Sequence, residues 1–390
     1  MVDDSFPLDM TTKNEHLTDP LRVVIVGASV GAGHNYAARE LQKRLRDKGV
    51  EAHYHDFLDS TPWLIHVLLR DGYGPCVNHF PWLFTIVMSA SETNFIFHLV
   101  VMFCCWLSTW EILVWTREAD IVVTTYGLAS QSLGWLRLAG YLEAPVISYL
   151  CDAGAHGLLF HKGVDLNIAP FSGTVSDCKR YGFEAIEANP LVREVFALPV
   201  ASGKRDSMRR QLEIPAMDKI ALVCAGSLGL GRVSEMVKDL LKAKQDMKII
   251  VLCGRNHTLQ SSFRGESRVV AMGWRDDLPD LLVTADVVVH NAGGMVVWES
   301  AIAKIPLITY LALPGQGQRN AGVLAESSVS PWPRNIKELA KELEAAFKQT
   351  RLPPSLANRF ADKDVTDIIL NWTKLADAKM QRQIPILAGA

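Results

Sequence analysis

The stretch that most limits how this chain can fold runs from residue 289 to residue 320, VHNAGGMVVWESAIAKIPLITYLALPGQGQRN. It predicts a strand, a turn of small residues at Asn291–Gly294, a helix that opens at Met295, a second strand and a Gly-rich loop. Parallel strands need a crossover of a dozen or more residues, usually a helix. The pattern therefore predicts a βαβ unit in a parallel sheet.

The same alternation of strand and helix extends through most of the chain. Short apolar runs of the kind buried in parallel sheets predict strands at Leu21–Gly27, Glu51–Phe57, Ile121–Thr125, Val146–Leu150, Leu166–Pro170, Ile220–Cys224, Lys248–Cys253, Val269–Met272, Val287–His290 and Leu307–Leu311. Helical spacing of apolar residues predicts helices at Tyr36–Lys48, Val233–Lys244 and Met295–Ala303, and near Ile336–Gln349 and Val365–Lys379. The chain is therefore expected to have an α/β fold.

Two successive sets of βα units predict two doubly wound, Rossmann-like domains that face a cleft. We expect a flexible lead-in over residues 1–20, a first domain over 21–200 and a second domain over 201–390. The boundary is predicted within Leu198–Pro215, which combines proline, Ser-Gly and a charged run. The final helices are expected to pack back across the domains.

An aromatic-rich segment from Trp63 to Trp115 interrupts the first set of units. Within it, Phe95–Leu107 (FIFHLVVMFCCWL) is apolar all round but thirteen residues long, whereas a membrane span needs about 20. Three interpretations stay open: a transmembrane helix, a buried core helix, or an excursion that lies on a membrane or receives a lipid chain. Tryptophan favours such wet–apolar boundaries. Arg70 within the segment and Arg117 just after it are the only lysine or arginine residues here, so electrostatic attachment to anionic lipid gets little support.

Composition excludes several classes of protein. A chain of 390 residues should form about two domains. Hydrophobic residues make up 49% of the chain, charged residues 21%, and the net charge is −2, which argues against disorder and generic nucleic-acid binding. Seven cysteines without metal-ligand spacing indicate a reducing compartment. The acidic, polar N-terminus has the composition of neither a signal nor a transit peptide.

The βαβ unit of the second half carries the residues of a nucleotide-sugar site. Gly293 and Gly294 let a diphosphate approach backbone N–H groups at a helix N-terminus, where positive charge accumulates. Glu299 follows on that helix, placed to accept hydrogen bonds from vicinal hydroxyls. Three neutral amides in the Gly-rich loop suit a sugar: Gln316, Gln318 and Asn320. The plainer interpretation is a turn followed by a chance glutamate.

The first Gly-rich turn, GASVGAGH from Gly27 to His34, carries a candidate base. It resembles the dinucleotide fingerprint, but its spacing is wrong, and Asp56 is the only candidate for the ribose-binding acid. A sugar transferase needs a base near the acceptor hydroxyl, and an imidazole suits proton removal from an alcohol. The alternative is that His34 is hydrogen-bonded to backbone at the start of a helix.

A third cluster follows the strand Val146–Leu150, where open α/β sheets place ligands. Asp152 could orient His34, help to hold the acceptor, or simply brace the loop. His156, His161 and Asp165 have the residue types of metal ligands, but their spacing is not a familiar zinc pattern. We therefore predict no metal site.

Taken together, these motifs resemble the GT-B glycosyltransferases that make monoglycosyl diacylglycerols (the monogalactosyl/glucosyl diacylglycerol synthase family), with the peptidoglycan N-acetylglucosaminyltransferase as a more distant relative. The N-terminal match is GASVGAGH, followed by DAGAHGLLFHKGVDLNIAP at 152–170. In the second half, AGSLGLGRV, LCGRN, MGWRDDLPDLL, NAGGMVVWESAIAKIPLI and PGQGQRNA occur in the family's order. The resemblance covers about Leu21–Ser330.

This resemblance implies a role for each matching residue. His34 would be the catalytic base, with Asp152 beside it, and Gly33, His156 and Trp106 are expected to contact the acceptor. The loop Ser227–Gly231 and Arg232 would lie near the donor phosphates, and Gly293, Gly294 and Met295 would hold the diphosphate. Gly273 and Trp274 would contact uracil, and Glu299 would contact ribose. Gln316 and Asn320 would contact the sugar. His290-Asn291, Gly317 and Trp298 depart from the usual family residues, which allows for a specialised donor.

The activity implied is transfer of a sugar from a UDP-sugar to a hydroxyl or phosphate of a lipid-linked acceptor, with inversion. No cofactor and no essential metal are expected, since helix dipoles and backbone N–H groups stabilise the leaving diphosphate. A membrane surface is an expected partner and nucleic acid is not, which implies a cytoplasmic enzyme, peripheral on the inner face of the membrane. The alternatives are a UDP-sugar epimerase of the same fold and a nucleotide-sugar- or lipid-binding protein without turnover.

Overall fold

A computed structural model describes residues 20–80, 82, 86, 94–198, 201, 203–348 and 363–372. Its eleven described strands, numbered in chain order, are β1 Arg22–Gly27, β2 Glu51–Asp56, β3 Ile121–Thr124, β4 Val146–Tyr149, β5 Leu166–Ala169, β6 Ile186–Glu187, β7 Lys219–Cys224, β8 Met247–Leu252, β9 Val269–Met272, β10 Val287–His290 and β11 Leu307–Thr309. The ten strands predicted from apolar runs are confirmed, most with ends within one residue. The short β6 was not predicted.

The strands form two parallel sheets. One has the order β2-β1-β3-β4-β5-β6 and the other β11-β10-β7-β8-β9. In each sheet the first strand in the chain has a neighbour on both sides, so the direction of winding reverses beside it, and a crevice opens at the carboxyl ends of the strands. The predicted α/β architecture of doubly wound sheets is thus confirmed.

The helices that cover the sheets are α1 Gly33–Asp47, α2 Trp63–Arg70, α3 Tyr73–His79, α4 Phe95–Leu107, α5 Thr109–Thr116, α6 Gly127–Leu138, α7 Ser172–Arg180, α8 Lys204–Gln211, α9 Val233–Ala243, α10 His257–Ser261, α11 Leu278–Thr284, α12 Val296–Ile302, α13 Gln316–Glu326 and α14 Ile336–Lys348, with a further helix, α15, at 365–372. The predicted helices are all present. However, α1 begins three residues earlier than predicted, and so it includes His34.

The segment predicted as the Gly-rich loop PGQGQRN is instead the start of helix α13. Gly317 is buried there, and a Cβ on it would lie 2.7 Å from Leu313 Cβ. This glycine therefore permits close packing rather than a turn.

The chain returns to the first sheet in α15. Val365 and Ile369 are fully buried in the apolar cluster that contains β1. Asn189 N donates to Lys363 O at 2.7 Å, and Asp364 pairs with Arg44 at 3.4 Å. Helix α15 thus packs on the first domain, while residues 373–379 of the predicted helix lie outside the described part, as does the lead-in 1–19.

The aromatic excursion, defined as residues 63–116 that are described, is largely exposed. Helix α4 buries only Cys105, and α2 buries none of its residues. Trp63, Phe95 and Trp110 are 77%, 74% and 75% exposed. The interpretation of Phe95–Leu107 as a core helix is therefore wrong. No single helix among the described residues is long and apolar enough to span a membrane; α4 and α5 together would be, but they are bent by 44°.

Candidate functional site

A cleft of about 290 Å³ lies between the carboxyl ends of the two sheets. Its walls come from the segments that follow β1, β4 and all five strands of the second sheet, in keeping with ligand placement in open α/β sheets. Of the residues predicted for the site, the cleft is lined by Gly33, His34, Asp152, Ser227, Gly273, Trp274, Gly293, Gly294, Met295, Glu299, Gln316 and Asn320. The fold thus brings together residues that are up to 287 positions apart in the chain.

The turn after β10 has an uncommon backbone. Ala292 and Gly294 have φ of 63° and 74°, values that a non-glycine residue such as alanine adopts rarely. His290 holds this turn, because its Nδ1 accepts a hydrogen bond from Ala292 N at 3.0 Å. Its Nε2 lies 3.2 Å from both Ser330 Oγ and Thr309 Oγ1. The turn that faces the cleft is therefore supported from inside the domain.

Burial of His290 predicts a loss of stability in acid. The side chain is fully buried, which lowers its pKa from 6.5 to about 3. In the unfolded chain this imidazole binds a proton below about pH 6.5, whereas in the folded chain it does so only below about pH 3. The free energy of unfolding should therefore fall as the pH decreases from 6.5 towards 3. The expected slope is up to about 1.4 kcal/mol per pH unit, measured by urea unfolding across this range.

His290→Asn tests this prediction, since its amide oxygen can still accept the Ala292 N–H as in an Asx turn. The variant should show a flatter stability profile, whatever its stability at neutral pH. His257→Asn removes an exposed histidine of the same domain and should leave the slope as it is. A wild-type slope in His290→Asn would contradict the prediction.

The carboxyl group of Glu299 faces the cleft from the first turn of α12. Burial raises its pKa to about 7, and the nearby Arg193 guanidinium partly offsets that rise. Arg193 belongs to the first domain, lines the same cleft, and has a buried Nε without a hydrogen-bond partner among the described residues. A cation and a carboxyl group thus face each other across the two domains.

Arg193 was missed in the sequence, where it sits in an irregular segment after β6 with no motif of its own. Its guanidinium lies 5.9 Å from the ring of Tyr36 and 5.2 Å from that of Phe196, within the range of cation–π attraction. The sequence offered one indication of Arg193: an arginine shortly after Asn189-Pro190 and just before the predicted domain boundary.

Gln316 and Asn320 lie one helical turn apart on α13 and connect the domains. Asn320 donates to Asp152 Oδ1 at 3.1 Å and to Ala292 O at 3.0 Å, and it accepts from Gly154 N at 2.8 Å. Gln316 donates to Gly154 O at 2.7 Å. These amides reach the cleft, but they already bind the backbone of the first domain. Their contact with a sugar stays a prediction.

Gln318 is exposed and does not line the cleft. Its position follows from the helix, because residues two apart lie on nearly opposite faces. The prediction that it faces the sugar site rested on a loop that the structure does not contain.

His34 is oriented by the backbone rather than by Asp152. Its Nδ1 lies 2.7 Å from Thr125 O, and because a carbonyl oxygen only accepts, Nδ1 must donate. The other ring nitrogen, Nε2, is then left with its lone pair. A Cβ on Gly33 would lie 3.8 Å from Gly294 Cα, so the two Gly-rich turns meet beside this imidazole.

The acids suspected of other roles have structural ones. Asp56 accepts hydrogen bonds from Ser29 N at 3.2 Å and from Leu58 N at 3.0 Å, so it braces the first Gly-rich turn from below. Asp165 binds Arg137 Nε at 3.1 Å and Val146 N at 2.8 Å. Within the described ranges, no group of three His, Cys, Asp or Glu side chains could hold a metal ion.

Several predicted contacts lie away from the cleft. Arg232 is exposed and pairs with Glu235, because it begins the helix after the loop. His156 precedes a short 3₁₀ helix and does not line the cleft. Trp106 is half exposed on α4, 5.9 Å from Phe103. Gly231 does not line the cleft either, and its N–H donates to Asn78 Oδ1 at 2.9 Å.

The second half of the chain matches a known family. Residues 220–358 match the model described as the glycosyltransferase family 28 C-terminal domain. The chain is thus a glycosyltransferase, and the resemblance inferred from its motifs is confirmed.

Comparisons of the whole chain agree with this assignment. It is 22% identical to the processive diacylglycerol beta-glucosyltransferase of Bacillus cereus (strain AH187), over 84% of this chain and 86% of that protein. MurG of Acinetobacter baumannii superposes with a TM-score of 0.56 and 17% identity, over 91% and 99%. Anabaena HepE in complex with UDP-glucose superposes with a TM-score of 0.58 and 15% identity, over 92% and 100%. The predicted GT-B fold is confirmed.

Proposed function

We propose that this glycosyltransferase moves a sugar from a UDP-sugar to a hydroxyl group of a lipid-linked acceptor, with inversion and without a catalytic metal. The proposal rests on one observation: His34 and the turn Gly293–Met295 face each other across one cleft. One wall offers a base and the other offers backbone N–H groups for a leaving diphosphate. Two proteins similar to this chain, a diacylglycerol glucosyltransferase and a protein crystallised with UDP-glucose, support the same substrates.

In this proposal the donor lies along the second domain. Uracil would contact the loop Gly273–Trp274, ribose the Glu299 carboxylate, and the diphosphate the turn at Gly293–Met295. Arg193 would add positive charge from the opposite wall. As the bond from the anomeric carbon to the diphosphate breaks, negative charge develops on the leaving oxygen, and fixed N–H dipoles stabilise it without reorganising.

The acceptor would enter from the first domain. Its hydroxyl would donate a hydrogen bond to His34 Nε2, lose its proton there, and attack the anomeric carbon from the side opposite to the diphosphate. Such attack inverts the configuration. Asp152 lies on the same wall, held by Asn320, and would position the acceptor rather than take the proton.

A donor screen with lipid extract tests the proposal directly. The purified protein is incubated with individual UDP-sugars and total lipid, and UDP release and product mass are measured. We expect lipid-dependent UDP release and a product heavier by one sugar residue. Conversion of one UDP-sugar into another without lipid would favour the epimerase, and binding without turnover would favour a binding protein.

We also propose that the aromatic excursion lies on a membrane, so that the enzyme is peripheral on the cytoplasmic face. Its exposed aromatic side chains, such as Trp63 and Trp110, suit the boundary of a bilayer. Arg70 is its only lysine or arginine residue. The attraction would therefore be hydrophobic, and the membrane need not be anionic.

The protein should co-sediment with vesicles of neutral phosphatidylcholine, and high salt should release little of it, because screening weakens only charge attraction. Replacing Trp63, Phe95 and Trp110 together by aspartate should weaken binding by more than about 100-fold, since charge at an apolar membrane interface is costly. Sedimentation across a lipid titration measures both effects.

Met217→Asp is the matched control, because Met217 is 91% exposed and lies just before β7, outside the excursion. This variant should bind vesicles as the wild type does. Equal losses in both variants, or no binding by the wild type, would remove the membrane from the proposal.

A further inference from the structure

A hydrogen bond joins the aromatic excursion to the second domain. Asn78 on α3 accepts it through Oδ1 from Gly231 N at 2.9 Å. Gly74, one turn earlier on the same face, lies over the same loop: a Cβ there would be 3.7 Å from Leu230 Cδ2 and 3.9 Å from Leu228 Cδ1. One face of α3 therefore rests on the loop that follows β7.

This loop, residues 226–231, contains the segment Ser227–Gly231 that the family resemblance places near the donor phosphates, beside the turn Gly293–Met295. Leu228 and Leu230 line the cleft, and Gly229 and Gly231 have φ of 56° and 87°. Side-chain amides hold its backbone: Asn291 donates to Leu230 O at 2.8 Å and Asn256 to Gly229 O at 3.2 Å. Those amides belong to the loop's own domain, whereas Asn78 belongs to the excursion.

Helix α3 is also tightly joined to the apolar part of the excursion. Between α2 and α3 there are two residues, and a Cβ on Gly72 would lie 2.5 Å from Leu68 O. Such a close corner leaves little freedom between the two helices. On α2, Trp63 and Leu68 are 77% and 66% exposed. A lipid surface into which these side chains insert therefore also fixes the position of α3.

We propose that Asn78 is a positioning residue for the loop 226–231, through which a neutral lipid surface on the excursion raises the affinity of the cleft for UDP. This inference rests on the proposed function. Lipid on α2 and nucleotide at the loop stabilise the same placement of α3. Coupling between two sites is reciprocal, so nucleotide also strengthens lipid binding by the same factor.

The test measures UDP affinity by calorimetry for the full chain, with and without saturating phosphatidylcholine vesicles. The wild type should bind UDP at least about fivefold more tightly with vesicles, the lower end of usual couplings. Asn78→Ala should bind UDP about two- to tenfold more weakly than the wild type, as expected for one lost hydrogen bond, and should not respond to vesicles. With donor as substrate, its KM should rise while kcat at saturation is kept.

Asn94→Ala is the matched control. Asn94 lies in the same excursion and also accepts a backbone N–H through Oδ1, from Phe97 at 3.0 Å, but this bond stays within α4. Its vesicle response should equal that of the wild type. The inference is overturned if vesicles do not change the Kd of the wild type for UDP, or if they lower the Kd of Asn78→Ala as much as that of the wild type. Either result leaves the proposed function intact. Absence of any UDP binding overturns both.

Discussion

Replacing His34 by alanine should lower kcat by about 10²–10⁴, the usual contribution of a positioned general base, while UDP affinity stays near that of the wild type. The reason is spatial. His34 lies in the first turn of α1, with Nδ1 bound to Thr125 O at 2.7 Å, and the predicted donor contacts lie after Ala225 on the opposite wall. Initial rates at saturating donor and acceptor, together with UDP calorimetry, measure the two effects separately.

His53→Ala serves as the control, because it removes an exposed imidazole from β2 of the same sheet and should leave kcat unchanged. Near-full kcat in His34→Ala would make Asp152 the better candidate for the base. Loss of UDP binding instead would mean that the first Gly-rich turn holds the nucleotide, and the roles of the two domains would be exchanged.

Replacing Glu299 by alanine should raise the donor KM about 10- to 100-fold, because a hydrogen bond to a charged group contributes roughly 1.5–3 kcal/mol. The wild-type enzyme should also show a pH dependence. With a pKa of about 7, the carboxyl of the free enzyme is mostly protonated at pH 6 and mostly ionised at pH 8. Donor affinity should therefore rise about tenfold between these values, measured with a UDP-sugar, whose diphosphate does not titrate in this range.

Glu299→Gln separates charge from shape, since the amide has the size of the carboxyl group but does not ionise. Its donor affinity should be weak and independent of pH from about 6 to 8. The pH dependence of folding has the opposite sign to that of donor binding. The pKa of this carboxyl group is about 7 in the folded chain and has its ordinary value of 4.5 in the unfolded chain. Stability of the wild type should therefore fall relative to Glu299→Gln as pH rises through this window. Unchanged donor affinity in a folded alanine variant would remove Glu299 from the site.

The fold could be predicted because buried parallel strands leave a direct mark in the sequence. Val287–His290 and Val269–Met272 are runs of small apolar residues, and both strands have the predicted ends. Two consecutive sets of such runs, separated by helical spacing, allow few architectures. The Gly-rich turns are equally readable, since they directly follow the predicted strands β1 and β10, and the fold does place them at the cleft.

Predictions failed where one residue type serves two purposes. A glycine signals a turn as readily as it signals close packing, and Gly317 serves packing against Leu313. The resulting helix carried Gln318 away from the cleft. Aromatic residues show the same ambiguity: Phe95–Leu107 has the composition of a core helix, but it buries only Cys105.

Contacts between the domains could not be predicted at all. Arg193 near Glu299, Asn78 at Gly231 and Asn320 at Asp152 each join residues more than 100 positions apart. In each pair, the sequence around one residue does not indicate which residue is its partner. A sequence indicates which turns face a cleft, whereas the orientation of two packed domains decides which side chains meet across it.

The return of α15 to the first sheet means that the first domain is built from both sides of the second domain in the sequence. The chain leaves that sheet after β6 and is back beside the same place at Lys363, whose carbonyl accepts the Asn189 N–H. Val365 and Ile369 then fill part of the apolar cluster that contains β1. The core of the first domain is therefore incomplete until the chain beyond the second domain has been synthesised.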